Sequence, residues 1–149
     1  ISLNNAIELI RTKCSPQDLI IIQESTRPMI TTEMISRLIQ SASEKGSATI
    51  CHSMTDYVQF DISKSTAKYI DRNALIALQS PEAHRFSLLD EVFQKAKIQN
   101  HQLTESCCTM LLYNLGYKIN FIESSINNIK IVREEDLSAF SALVKPDYS

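Results

Sequence analysis

Apolar and polar positions recur along this chain in two periods, one typical of helices and one typical of strands. Apolar side chains at helical spacing cover 5–14, and a stronger helical pattern runs from Thr32 to Gly46, where glycine accepts the left-handed backbone that ends a helix. Between them, Leu19–Ile22 is wholly apolar and mostly β-branched, as in strands that are covered on both faces. A second strand is predicted over 48–54.

The pattern changes after this second strand. The segments 57–60 and 66–70 alternate apolar and polar positions around a polar turn at 61–65. Such alternation predicts a half-exposed β-hairpin, at a place where an α/β chain would ordinarily carry a helix.

Helices and strands alternate again in the second half of the chain. The predicted elements are a turn at Ser80–Pro81, helices over 87–97 and 104–116, strands over 117–123 and 129–132, and a closing helix over 134–144. Strands that alternate with helices indicate a layered α/β domain with a largely parallel sheet.

Length and composition narrow the classes of function. The 149 residues suffice for one domain with a core. Fifteen basic against 17 acidic residues give a net charge of −2, which argues against nucleic-acid binding. No apolar run approaches the ~18 residues of a membrane-spanning helix. The four cysteines lack metal or redox spacing, which favours reduced thiols in a cytoplasmic protein.

Glycine is the anomaly of the composition. The chain has two glycines, Gly46 and Gly116, where average usage of ~7% predicts about ten. Loops that bind nucleotide phosphates need several glycines, because only a bare backbone approaches the phosphates closely enough. A self-contained loop of this kind is therefore not expected within the chain.

Charged residues follow the predicted strands at the sheet edge where α/β proteins bind ligands. Glu24 and Arg27 follow the first strand, the pair at 55–56 follows the second, and Lys130 lies in the last one. A carboxylate, an arginine and a lysine suit a phosphorylated substrate and a divalent metal. Solvated loop ends give the same pattern, so these clusters alone leave both interpretations open.

Six segments, read in order, resemble the motifs of the 2-C-methyl-D-erythritol 4-phosphate cytidylyltransferases and of their relatives, the ribitol-5-phosphate cytidylyltransferases. They are 19–28 (LIIIQESTRP), 55–56 (TD), 71–73 (DRN), 78–86 (LQSPEAHRF), 104–105 (TE) and 125–137 (SINNIKIVREEDL). The resemblance covers nearly the whole chain.

The resemblance implies a Rossmann-like fold of the nucleotide-diphospho-sugar transferase type, with a mostly parallel sheet and a projecting hairpin arm at about 55–72. It implies that 1–145 form the C-terminal portion of the domain and that 146–149 are a tail. The glycine-rich nucleotide loop of the family precedes the residues present here. The scarcity of glycine is then expected of a chain that lacks this N-terminal part, and the chain alone is expected to be inactive.

The activity implied is transfer of CMP from CTP to a polyol phosphate, with Mg²⁺ as cofactor and release of pyrophosphate. The favoured acceptor is 2-C-methyl-D-erythritol 4-phosphate, and ribitol 5-phosphate is the alternative. The expected assembly is a homodimer joined through the arm, without nucleic acid or membrane. A catalytically incomplete acceptor-binding fragment or a scaffold is the remaining alternative.

The resemblance also assigns roles to single residues. Lys130 matches the lysine that holds the acceptor phosphate, and Arg72 matches the arm arginine that clamps this phosphate in the other subunit's site. Substrate contacts are implied for Arg27, Asp56, Tyr57, Ser80 and Thr104. Glu24 occupies the position of the family's aspartate that binds metal and polyol, and its side chain is one methylene longer than that of aspartate. Tyr57 replaces a small hydroxyl residue of the family. The departures at Glu24 and Tyr57 predict a divergent polyol specificity or relaxed selection.

Each of these roles has a structural alternative. Lys130 could instead be a solvated lysine at the end of a strand, and Arg27 a loop arginine that binds main-chain carbonyls. Arg72 suits an ion pair at the end of a hairpin. Ser80 suits a turn, and Thr104 suits a helix N-cap.

Overall fold

The computed structural model describes residues 2–56, 58–63, 66–99 and 107–144. The strands are β1 Leu19–Ile22, β2 Ser47–Ser53, β3 Gln59–Asp61, β4 Lys68–Ile70, β5 Ile76–Arg85 and β6 Phe121–Glu123. The helices are α1 Ser2–Ile10, α2 Thr32–Lys45, α3 Phe86–Ile98, α4 Cys108–Asn114 and α5 Glu134–Leu143, with a short 3₁₀ turn at Arg72–Ala74.

Four strands form the central sheet in the order β1-β5-β2-β6. β2 pairs in parallel with β6, so that Ile50 lies beside Ile122. β5 lies between β1 and β2 and runs antiparallel to both. The α/β class is confirmed: three of these four strands share one direction, and the opposed strand β5 makes two of the three pairings antiparallel.

The central strand β5 is the main departure from the sequence prediction. A turn was expected at Ser80–Pro81, yet β5 continues through this pair, whose peptide bond is cis. The pairing with β1 ends at Ile22 opposite Glu82, and the pairing with β2 shifts register between Thr49 and Cys51. Proline has no N–H to donate to a neighbouring strand, and Pro81 lies where the pairing of β5 with its neighbours is interrupted.

A second departure concerns the predicted strand over 129–132. This segment has no regular secondary structure and pairs with no strand in the described part of the chain. Its main chain is held instead by Ile131, whose N–H donates to the carbonyl of Thr26 at 2.8 Å. Lys130 therefore lies in a loop beside the one that follows β1.

Helix α2 shows how local sequence sets the ends of an element. Thr31, one residue before the predicted start of the helix, caps it by accepting a hydrogen bond from the N–H of Met34 at 3.2 Å. Gly46 ends it at a φ of 83°, with its N–H donating to Ala42, as the pattern predicted.

Apolar side chains pack on both faces of the sheet. One cluster joins α1, α3 and α4 and includes Ile7, Leu89 and Phe93. The other places α2 against the sheet through Leu38 and Ile50. Because both faces are covered, β1 is wholly apolar, whereas β2 and β5 also carry buried polar side chains.

The predicted hairpin is confirmed as β3 and β4, which pair outside the central sheet. The rings of Phe60 and Tyr69 meet edge to face at 6.0 Å between centroids, and Val58 and Ile62 are exposed. Each helix in the described part of the chain is too short or too polar to cross a bilayer.

We predict that Leu38→Ala lowers the free energy of unfolding by about 2–5 kcal/mol, because it opens a cavity in a fully packed site. Leu38 has no exposed surface. Urea unfolding of the intact protein measures the change.

The matched control is Leu9→Ala, because Leu9 is 66% exposed. It should change the free energy by no more than about 0.5 kcal/mol. Equal losses for the two variants would contradict the packing of α2.

Candidate active site

The loop that follows β1 is shaped by its own hydrogen bonds. The N–H of Arg27 donates to the carbonyl of Glu24 at 3.1 Å. The side-chain amide of Gln23 donates to the carbonyls of Glu24 and Arg27, each at 2.9 Å. These bonds close the loop into a compact turn that brings Glu24 and Arg27 side by side.

One carboxylate in this turn joins two cations. Glu24 Oε2 accepts from Arg27 Nε at 2.9 Å, and Glu24 Oε1 accepts from Lys130 Nζ at 2.5 Å. Partial burial raises the pKa of the Glu24 carboxyl, but the hydrogen bonds and charges of Lys130 and Arg27 outweigh this and leave the pKa below its usual range. Glu24 is therefore ionised and bridges the two basic side chains.

Asn128 fastens this turn to the sheet. Its carbonyl accepts from Arg27 Nη1 at 2.7 Å. Its side-chain amide donates to the carbonyl of Ser80 at 2.8 Å and to Gln79 Oε1 at 3.3 Å. Ser80 Oγ in turn accepts from the N–H of Glu24 at 3.1 Å. Three segments far apart in sequence thus meet around one fully buried side chain.

These segments enclose a cavity of about 190 Å³. Glu24, Arg27, Ser80 and Lys130 line it, so four of the residues implied by the resemblance share one site. A larger groove of about 590 Å³ lies beside α3. Its charged lining residues are Asp90, Glu91 and Lys95, a set that is less suited to an anionic substrate.

A buried carboxylate, Glu82, forms the floor of the cavity. Glu82 is 4% exposed. Its oxygens accept from the N–H groups of Cys108 and Thr109 at 2.8 Å and from Thr109 Oγ1 at 2.6 Å. Burial raises the pKa of Glu82, but the contact with His84 and these donors lower it below the usual range. Glu82 therefore ties the start of α4 to β5.

Two implied residues lie away from this cavity. Arg72 is exposed in the 3₁₀ turn that follows β4, and Asp56 is exposed in the turn that follows β2. Neither lines the cavity in this chain. Tyr57 and Thr104 lie outside the described residues.

The residues at the cavity do not fit a resident Mg²⁺ as they stand. Mg²⁺ requires a near-octahedral set of oxygen ligands. Both oxygens of Glu24 are already bonded to cations. Glu82, the other carboxylate that lines the cavity, accepts three hydrogen bonds from α4, so the two side chains together leave too few free oxygens for an octahedral set. An ion at Glu24 would have to displace Lys130. The role of Glu24 as a metal ligand stays a prediction.

A comparison with known protein families shows which family carries this group of site residues. A family model described as 2-C-methyl-D-erythritol 4-phosphate cytidylyltransferase matches residues 1–145. The chain is a member of that family. The roles of Glu24, Arg27, Ser80 and Lys130 are therefore interpreted by comparison with cytidylyltransferases of this family.

Curated cytidylyltransferases show the same kinship. The ribitol-5-phosphate cytidylyltransferase of Lacticaseibacillus paracasei is 30% identical over 146 residues, which are 97% of this chain and 62% of that protein. The 2-C-methyl-D-erythritol 4-phosphate cytidylyltransferase of Lysinibacillus sphaericus is 30% identical over 128 residues, 86% of this chain and 54% of that protein. The chain thus spans little more than half the length of these relatives.

Solved structures confirm the Rossmann-like fold. The crystal structure of the 2-C-methyl-D-erythritol 4-phosphate cytidylyltransferase from Francisella tularensis matches with a TM-score of 0.81 and 20% identity, over 95% of this chain and 65% of that one. The Thermus thermophilus enzyme matches with a TM-score of 0.76 and 22% identity, over 93% of this chain and 66% of that one.

We predict that Asn128→Ala destabilises the protein by about 1–3 kcal/mol, because it leaves buried acceptors at Ser80 and Gln79 without their donor. Thermal and urea unfolding measure this loss. The neighbour Asn127 is exposed, and Asn127→Ala should be neutral within about 0.5 kcal/mol. A neutral Asn128→Ala would show that the three segments are held together by other contacts.

Proposed function

We propose that the protein transfers CMP from CTP to a polyol phosphate and releases pyrophosphate. The observation that carries this proposal is the Glu24–Arg27–Lys130 cluster, because it places two basic side chains at a cavity beside the sheet. Family membership supports the reaction type. The proposal concerns the whole protein, because this chain spans only part of its relatives.

The electrostatics suggest how the acceptor is held. The phosphate of the acceptor competes with Glu24 for Lys130, because both are anions that suit the same ammonium group. Once Lys130 turns to the phosphate, the Glu24 carboxylate stays beside Arg27 and is free to accept hydrogen bonds from polyol hydroxyls. Glu24 thus stabilises Lys130 in the free protein and recognises the polyol in the complex.

In the reaction, an oxygen of the acceptor phosphate attacks the α-phosphorus of CTP. A P–O bond forms to the acceptor, the bond between the α-phosphorus and its bridging oxygen breaks, and pyrophosphate leaves. Lys130 offsets the repulsion between the two anions and orients the nucleophile. Mg²⁺ remains our proposed cofactor, and Glu24 remains its predicted ligand.

We propose 2-C-methyl-D-erythritol 4-phosphate as the acceptor and ribitol 5-phosphate as the alternative. The family description and the Lysinibacillus sphaericus relative favour the first. The Lacticaseibacillus paracasei relative, which aligns over 97% of this chain, favours the second. Pyrophosphate release by the full-length protein with CTP, Mg²⁺ and each acceptor separates them. Release with neither acceptor would leave the acceptor-binding fragment or the scaffold as the better interpretation.

We further propose a homodimer joined through the hairpin. The exposed side chains of Val58, Phe60 and Ile62 give the arm an apolar surface that a partner would cover. Arg72 follows β4 and does not line the cavity of its own chain. A location in the partner's site would bring Arg72 to the acceptor phosphate.

We predict that Lys130→Ala lowers kcat/KM for the acceptor by about 10²–10³-fold, because it removes a cation aimed at the reacting phosphate. Steady-state pyrophosphate release measures the loss. The control is Lys118→Ala, because Lys118 is exposed and is not among the residues that line the cavity. An unchanged rate for Lys130→Ala would refute the assignment of the site.

Mixing two inactive variants tests the shared site. Arg72→Ala and Lys130→Ala should each be strongly impaired. After subunit exchange, half of the dimers carry one intact site if Arg72 acts in the partner's cavity, so roughly a quarter of the wild-type sites return. If Arg72 acts within its own chain, no site returns on mixing.

A further inference from the structure

A second cluster of possible ligands lies behind the floor of the cavity. Glu82 and His84 occupy alternate positions of β5, so they point to the same face of the sheet. Cys108 is the first residue of α4, which Glu82 ties to that face. The carboxylate, imidazole and thiol ligand atoms lie within 4.8 Å of one another. The three residues are 4%, 1% and 0% exposed.

The imidazole of His84 is the unexplained member of this cluster. Neither of its nitrogens makes a hydrogen bond, although buried polar groups normally have partners. Nε2 lies 3.2 Å from Glu82 Oε2, yet the contact lacks the alignment of a hydrogen bond. Two atoms bound to one tetrahedral metal at ~2.0–2.1 Å would lie about 3.3 Å apart, with their lone pairs directed at the metal rather than at each other.

We propose that Glu82, His84 and Cys108 form a binding site for a zinc ion. Carboxylate oxygen, imidazole nitrogen and thiolate sulfur are the three ligand types that zinc takes in proteins. The sulfur and nitrogen ligands favour zinc over magnesium. On binding, the Cys108 thiol loses its proton to solvent as the zinc–sulfur bond forms. The carboxylate and the thiolate then balance the two charges of the ion.

The surroundings supply the other requirements of such a site. The donors from Cys108 and Thr109 fix the orientation of the Glu82 carboxylate, as groups around metal ligands commonly do. Glu82 also lines the acceptor cavity, so the proposed site adjoins that cavity through this one carboxylate. A zinc ion here would clamp α4 to β5 and make the cavity floor rigid. This site is separate from the Glu24 cluster and does not depend on the proposed reaction.

Metal binding by the intact protein tests the proposal. Protein stripped with a chelator is titrated with Zn²⁺ against a competing chelator, and with Co²⁺ to detect the absorption of a cobalt–thiolate bond. We expect one ion per chain, and a melting temperature that rises on adding Zn²⁺. Cys108→Ser and His84→Asn should each weaken binding at least about a hundredfold, a larger loss than removal of an outer partner causes. Cys108→Ser should also abolish the cobalt–thiolate band, because Cys108 supplies the sulfur.

Cys51→Ser is the matched control. Cys51 is also a buried, free cysteine, on the neighbouring strand β2, and its replacement should leave the affinity and the cobalt spectrum unchanged. The Ser variant at position 108 keeps nearly the same volume, so zinc should raise the melting temperature of the wild type and not of this variant. No uptake of Zn²⁺ or Co²⁺ at micromolar concentration, or equal losses in the Cys51 and Cys108 variants, would overturn the proposal. Pyrophosphate release is not part of this test, so its outcome is independent of the proposed function.

Discussion

The arrangement of the site depends on one buried amide. Asn128 has no exposed surface, and a polar side chain in such a place is stable only with hydrogen-bond partners. Its partners lie on β5, and its own carbonyl receives Arg27. The bonds of its side-chain nitrogen and its main-chain carbonyl therefore fix the turn after β1, the middle of β5 and the loop before α5 relative to one another, while Oδ1 has no partner in the described part of the chain. The charged side chains of the site are attached to these three segments.

Charge balance explains why two basic side chains can share this small cavity. Without an anion, the like charges of Arg27 and Lys130 would repel each other and remain solvated. Glu24 supplies that anion from the same turn as Arg27. The cluster is only partly buried, so solvent screens its interactions. An incoming phosphate can thus exchange with Glu24 without leaving a buried charge unpaired.

Local sequence was sufficient for the elements that have a clear apolar pattern. The apolar run of β1, the helical pattern of α2 and the alternation of β3 and β4 each predicted the observed element. β5 was missed because Ser80–Pro81 has the composition of a turn, while its place in the sheet depends on where β1 ends and where β2 shifts register. The segment 129–132 has the composition of a strand but lies beside a loop, not a sheet edge.

The site residues also divide into those that local sequence predicts and those that depend on distant parts of the chain. Glu24, Arg27 and Lys130 could be predicted, because they lie at or in apolar segments and in motifs that resemble those of a known family. Thr49 and Thr109, which also line the cavity, gave no signal in the sequence. Nor did the sequence show that Glu82 and Asn128 are buried and paired, because burial of a polar side chain depends on residues far away in the chain.

The span of these contacts has a consequence for how the protein folds. The bond from Lys130 to Glu24 closes a separation of 106 positions, and that from Arg27 to Asn128 closes 101. Contacts between such distant residues form slowly, because a long loop must close before they stabilise anything. Helix α2 and the hairpin β3–β4 can form from nearby residues, whereas the acceptor cavity can form only when both ends of this span have met. Substrate binding by the nascent or refolding chain would therefore report the last stage of folding.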